Sequence, residues 1–208
     1  MLNTCTIQHK ITNLFLQTLR SRTAACHHAL EQSPLSIALL SDTVSADHYT
    51  AYLKKLYGFI CGFENNVFSQ LPSFLPDIEL RKKAHLITSD LLFHHQKAQN
   101  IAVLPDTFFK SRYPTKAAAW GGMYVLEGST LGGQIIKRHL QKNGDSWFTG
   151  SLYFTAYGAE TGSFWKTFLQ HLGEAAKNPV DAEQIIESAV QTFSVIDAWL
   201  TSGSYETK

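Results

Sequence analysis

The chain has 208 residues, 44% hydrophobic and 17% charged, with a formal net charge of +1. Near-neutral charge excludes the strong basic field of a general nucleic-acid binder, and the length supplies core enough for a single domain over 1–208. Three cysteines, Cys5, Cys26 and Cys61, lack CxxC spacing and exclude a disulfide framework or zinc knuckle. No apolar run approaches the ~20 residues of a membrane span and no signal peptide is evident, so a soluble cytoplasmic protein is the expectation.

In chain order, the first helix is predicted from about Ile7 to Glu31, with Leu14, Phe15, Leu19, Ala25, Cys26 and Leu30 as its apolar face. Ser33-Pro34 ends it, because proline restricts the residue before it. Leu35 to Leu40 reads as a short helix. Ser45 is a candidate N-cap for a long helix reaching about Gln70. Leu71 to Pro76 is a loop. Ile78 to Ala98 reads as one helix with Leu80, Leu86, Leu91 and Leu92 inward. His94-His95 close it as a solvated, dipole-compensating pair.

Leu104-Pro105 and Tyr113-Pro114 bracket an irregular connection. A helix then runs from about Thr115 to Lys142 and stops at the turn signal Asn143-Gly144-Asp145. Trp147 to Tyr157 is aromatic and is expected to be a loop folded over the core. Helices from about Glu160 to Ala176 and Asp181 to Thr201 are split by Asn178-Pro179. The polar tail 202–208 is expected to be mobile. His139 and His171 read as surface residues. No strand pattern survives, so the expected fold class is all-α, one domain of six to eight helices.

The Thr115–Lys142 helix holds a contradiction. Gly128, Gly132 and Gly133 interrupt it, and each glycine inside a helix costs about 0.5–1 kcal/mol relative to alanine. Gly128 and Gly132 are four apart and share a face. Two readings stay open: close packing against another helix, or a bare backbone face for a ligand, with a kink in the helix. Tyr124, on the same segment, is a core residue or a pocket wall.

The first helix carries a second pattern. Arg20, Thr23, His27 and Glu31 are spaced by three and four, which puts them on one stripe. Glu31, one turn after His27, is placed to hydrogen-bond one imidazole nitrogen and leave the other for a metal. A lone helical histidine is more often a surface or satisfied core residue; the stripe argues the other way. His28 points about 100° off it.

Leu19-Arg20-x-x-Thr23-x-x-x-His27-x-x-x-Glu31 together with Tyr124-Val125-Leu126-Glu127-Gly128-Ser129-Thr130-Leu131-Gly132-Gly133-Gln134 resembles the heme oxygenases, most closely the bacterial branch associated with bacteriophytochromes. Leu56-Tyr57 through Phe63-Glu64, Asp90-Leu91 and Phe164-Trp165-Lys166 agree with the resemblance, which covers nearly the whole chain in order. It implies an all-helical fold that holds heme, as substrate and cofactor together, between two helices. His27 would be the axial iron ligand and Glu31 its orienting partner. Gly128, Gly132 and Gly133 would let the distal helix lie against heme and bound O2. Arg20 would meet a propionate, with Thr23 and Tyr124 as further heme contacts. The implied reaction consumes O2 and electrons from a donor such as a ferredoxin or reductase, and yields biliverdin, CO and ferrous iron. A bacteriophytochrome is the implied receiver of biliverdin.

Two departures stand out. The animal-type pattern has an aspartate after the first distal glycine, where this chain has Ser129; a hydroxyl holds water but carries no charge. The last helix lacks the basic residues of that pattern, leaving Arg112, Lys116, Lys137 or Arg138 as substitutes. Two alternatives follow: a non-catalytic heme-binding or storage protein, and a thiamin-type pyrimidine hydrolase of related fold that would use Cys61 as nucleophile.

Overall fold

The computed structural model describes residues 2–71, 75–96, 101–144 and 147–202, with side chains described from residue 12 to residue 201. Among the described residues every regular element is helical: α1 Leu2–Glu31, α2 Pro34–Leu39, α3 Ala46–Asn66, α4 Ala84–Phe93, α5 Asp106–Arg112, α6 Lys116–Asn143, α7 Leu152–Thr155, α8 Thr161–Ala175 and α9 Pro179–Ser202. The all-α expectation holds. Pro72–Phe74, Asp145 and the tail beyond Ser202 lie outside the described residues.

The helix starts follow local chemistry. Ser45 accepts from His48 N at 3.3 Å while His48 Nδ1 accepts from Ser45 N at 3.3 Å, a reciprocal box that satisfies two orphan amides of α3. Thr115 caps α6 through Ala118 N at 3.1 Å, and Ser33 caps α2 ahead of Pro34. α9 packs along both α6 and α1, while α3 packs on α2, α4 and α5. Phe59, Phe63, Phe109 and Tyr113 form an aromatic cluster in the core.

The segment predicted as one helix from Ile78 to Ala98 is two. A 3-10 turn, Ile78–Arg81, is followed by extended Lys82 and then by α4. The break turns Lys83 inward, and Glu64 of α3 accepts from Lys83 N and Ala84 N, capping α4 with a carboxylate. The interruption puts the two halves out of register. Ile87 and Leu91 are fully buried, whereas Leu80 and Leu92, expected inward, are each 68% exposed. Leu14 and Ala25 of α1 also face out rather than in.

The connection between Leu104 and Pro114 is not irregular: α5 buries Phe108 and Phe109 there, and its seven residues are too few to show a helical period. His94 is not a solvated residue but a half-buried C-cap against Tyr49 and Trp147, and burial holds its imidazole below the usual range. His139 is half-buried too, tied to the Ser41 carbonyl at 3.0 Å.

Behind α6 lies a buried ionic network. Glu127 pairs with Arg81 and with Lys83 Nζ at 2.6 Å, and accepts from Tyr157 OH at 2.8 Å. Asp77 takes the other face of Arg81 at 2.8 Å, and Phe164 covers the guanidinium. Two cations and two carboxylates balance, so the buried charge is compensated. Glu127 directly precedes Gly128, and the network holds the glycine segment from behind.

Candidate functional site

α1, α2, α3, α6, α7, α8 and α9 all contribute to the wall of a cavity of about 350 Å³. Its walls are largely apolar, with Phe59, Ile60, Phe193 and Ile196 prominent, the character of a small-molecule site with few placed polar groups.

α1 contributes His27 and Glu31. His27 is about half exposed and packs edge-on against Phe193 at 5.4 Å. Glu31 Oε1 lies 3.6 Å from His27 Nδ1 and Oε2 lies 3.9 Å from His28 Nδ1. Both distances exceed a hydrogen bond, so the expected Glu31–His27 bond is replaced by a carboxylate standing near two imidazoles. The cause is exposure: all three side chains are more than half accessible, and no packing brings Glu31 onto His27.

Thr23 and Arg20 do not line the cavity; they meet Tyr124 beneath it. Thr23 is buried and its hydroxyl donates to Leu19 O at 2.8 Å. Burial raises the Tyr124 phenol, with the neighbouring Thr23 hydroxyl and the positive charge of Arg20 acting the other way. Tyr124 is thus both core and cavity wall, tilted against Trp165 at 5.7 Å. Here the α1 stripe and the glycine helix come together.

α6 runs as one continuous helix through its glycines. The two readings of those glycines divide by position. A Cβ on Gly132 would meet nothing within 4 Å, and one on Gly128 would find only Trp165, at 3.6 Å. Both glycines line the cavity, as does Ser129, whose hydroxyl donates to Leu126 O at 2.8 Å. Gly133 lies outside the lining and backs onto Phe154, with a Cβ contact of 3.4 Å to its carbonyl. Tight packing belongs to glycines not singled out from sequence. A Cβ on Gly121 would be 2.4 Å from Ile185 O, and one on Gly122 2.5 Å from the Phe63 ring.

The structure therefore brings His27, Glu31, Tyr124, Gly128, Ser129 and Gly132 to one cavity and leaves Arg20, Thr23 and Gly133 just outside it. Arg112, Lys116, Lys137 and Arg138 are absent from the described lining, as is Cys61. Among the described residues no cluster of three metal-ligating side chains occurs; a single histidine is what the site offers.

Sequence reasoning missed Tyr52, Tyr153 and Phe154 as wall residues. Tyr153 and Phe154 come from α7, inside the segment expected to be loop. Asp90 fixes that turn, accepting from Ser151 Oγ at 2.8 Å, Leu152 N at 2.8 Å and Tyr153 N at 3.0 Å. Gln134 Nε2 holds its far end through Thr155 O at 3.1 Å. The signal available was the density of aromatics in 147–157, which has no period to betray which of them turn inward.

The family model described as heme oxygenase matches residues 13–202. A heme oxygenase of Xanthomonas campestris pv. campestris is 26% identical over 158 residues, covering 76% of this chain and 91% of that protein. Among solved structures, the heme complex of heme oxygenase-1 from the cyanobacterium Synechocystis superposes with a TM-score of 0.73 at 17% identity, over 91% of each chain. The NO- and CO-bound heme oxygenase of Neisseria meningitidis gives 0.71 at 22% identity, over 89% of each chain. These structures share the fold.

Proposed function

The chain belongs to the heme oxygenase family, and from that premise we propose that it opens the heme macrocycle oxidatively, with O2 and electrons, to give biliverdin, CO and ferrous iron. The residues fit a heme. One imidazole, His27, borders an apolar cavity on whose wall two helical glycines leave their backbone bare. That combination is the observation that carries the reading.

In this reading His27 would hold the iron of a bound heme. Glu31 biases the orientation of the imidazole from a distance rather than by a fixed bond. Gly128 and Gly132 admit a flat ring and a small ligand against α6, and Phe193 and Ile196 exclude water from the face they cover. Gly133 lets α7 approach. Arg20, on the α1 stripe with His27 but just outside the lining, would have to reach a propionate with its long side chain, and Thr23 lies beside Tyr124. Ser129 supplies a neutral hydroxyl close to the glycine face. When bound, heme supplies the iron that binds and reduces O2; the protein supplies position, dryness and protons.

The electron donor, a ferredoxin or a reductase, and a bacteriophytochrome as receiver of biliverdin, are partners supported by the resemblance of the two motifs. No nucleic acid enters the reading. Among the described residues no helix is long and apolar enough to cross a membrane.

The experiment is addition of hemin followed by reduction in air. A Soret shift, then verdin absorbance with release of CO, is the expected result; no Soret shift, or none of the products, overturns the reading. A non-catalytic heme carrier is favoured by one observation, the neutral Ser129 hydroxyl bound to Leu126 O beside Gly128. Tight 1:1 hemin binding without verdin under a competent donor would establish it.

A further inference from the structure

A second cavity, of about 600 Å³, shares no described lining residue with the one that His27 borders. α3 stands between the two. Its Tyr52 and Leu56 line the first cavity, whereas Ala51, Lys54 and Lys55 line the second. His95, Gln96, Ile101, Ala102 and Trp199 of α9 complete the described wall.

The charge in this cleft is all of one sign. Lys54 Nζ donates to Gln96 Oε1 at 2.7 Å, and Lys55 Nζ stands 4.7 Å from the centre of the Trp199 ring. Both of these partners are neutral. Among the described residues neither lysine makes an ion pair, and no carboxylate lines the cleft. From Leu91 to Pro105 the sequence has no aspartate or glutamate at all. Elsewhere in the fold the half-buried or buried cations Arg81 and Lys83 are matched by Glu127 and Asp77. Lys54 and Lys55, both half-buried, have no such match, and a partly buried charge is screened less than one in open solvent.

The wall opposite α3 is set by backbone geometry. Beyond α4, His95 N donates to Leu92 O and Gln96 N to Leu91 O, each at 2.9 Å, the double bond of a helix C-cap. His95 has φ 57, the left-handed region in which glycine is the usual occupant of such a cap. An imidazole is held there instead, exposed and facing the cleft, the kind of backbone outlier that clusters at ligand sites. On the near side Trp199 Nε1 donates to Lys55 O at 2.8 Å, which fixes the indole against α3.

We propose that this cleft binds a soluble organic phosphate. Its dianionic group meets the Lys54 and Lys55 ammoniums, and its uncharged part lies on Ile101 and Ala102. Lysine binds phosphate as a point charge, two ammoniums balance a dianion, and a monocarboxylate would leave one positive charge over. His95 donates to a phosphate oxygen through a ring N–H, which the neutral imidazole already carries. The volume falls in the range of small-molecule sites and exceeds what an inorganic ion fills. The site stands apart from the heme cavity, and its occupation does not depend on the function proposed above.

The test is calorimetric titration of the full chain with AMP in phosphate-free, low-salt buffer, with adenosine and inorganic phosphate as comparisons. AMP is expected to bind at least tenfold more tightly than either, and to weaken as salt is raised. The double variant Lys54→Gln/Lys55→Gln is expected to lose at least tenfold in AMP affinity while its hemin titration stays unchanged. Lys82→Gln, at an exposed lysine paired with Glu79, is expected to bind AMP as wild type does. AMP no tighter than adenosine, or equal AMP affinity in wild type and the double variant, overturns the site. AMP no tighter than inorganic phosphate means an adventitious ion only and overturns it too. Co-sedimentation with phosphatidic acid vesicles without a response to AMP would place the phosphate in a lipid head group and overturn the soluble ligand. Should the double variant melt well below wild type, Lys54→Gln alone decides, since the Lys54 head group lies on Gln96 and not on the indole; an unchanged AMP affinity overturns the site.

Discussion

One methyl group at Gly132 should act with opposite signs on stability and on ligand binding. A Cβ there meets nothing within 4 Å, and the residue sits inside α6 and is exposed. Gly132→Ala therefore incurs no clash and recovers helix propensity, about 0.5–1 kcal/mol. In a chain of this length that raises the melting temperature of the ligand-free protein by roughly 1–4 °C. The same methyl projects from a wall of the cavity. If a ring lies against that wall, the methyl overpacks it at a cost of about 1–3 kcal/mol, or roughly 5- to 150-fold in hemin affinity. Thermal unfolding without hemin and a Soret titration measure the two effects. A higher melting temperature with unchanged hemin affinity and turnover would show that the bare backbone is not the ligand wall. A lower melting temperature would refute the geometry itself. Gly122→Ala is the contrast: its Cβ would lie 2.5 Å from the Phe63 ring and 2.7 Å from that of Tyr113, so it should lose about 1–3 kcal/mol.

His27→Ala should lose the axial-ligand spectrum of the hemin complex while His28→Ala keeps it; identical spectra for the two would reject the assignment. Glu127→Ala leaves Lys83 without a carboxylate and Arg81 with Asp77 alone, one buried positive charge uncompensated, and should cost about 3–5 kcal/mol by urea unfolding; an unmoved urea midpoint would mean the pairing contributes nothing. His94 titrates in the folded state below its unfolded value near 6.5 because burial disfavours its charged form. Its contribution is thus complete above pH ~6.5 and is lost as pH falls through that value towards the lowered one, since the unfolded chain then binds the extra proton. His94→Gln should flatten that part of a melting-temperature-against-pH curve, and an unchanged slope would exclude His94 as its origin.

The legible parts of this protein were those written in local chemistry. Ser45 and Thr115 mark helix starts by satisfying amides within three residues, Ser33-Pro34 marks the end of the first helix, and such signals need no tertiary partner. The His27–Glu31 stripe and the glycines of α6 were visible because helical spacing is fixed at 3.6 residues per turn. The break at Lys82-Lys83 was not visible. Its cause is Glu64, some twenty residues away in sequence, which captures the first amides of α4, and an apolar period drawn through the break runs on without interruption. Exposed Leu80 and Leu92 are the price of that misreading.

By itself the sequence determined the helical class, the starts of α3 and α6, and two half-sites whose residue types suit an axial ligand and a flat ring. Only the tertiary structure decided what each glycine is for. Gly121 and Gly122 allow close packing on α9 and α3, Gly133 allows the approach of α7, and Gly128 and Gly132 leave open space. It also decided that Tyr153 reaches the cavity, because Asp90 and Gln134, distant in the chain, hold its turn in place. The physical reason is common to both. A missing side chain or an aromatic ring has no meaning until the surface facing it is known, and that surface is assembled by contacts between segments that sequence period does not relate.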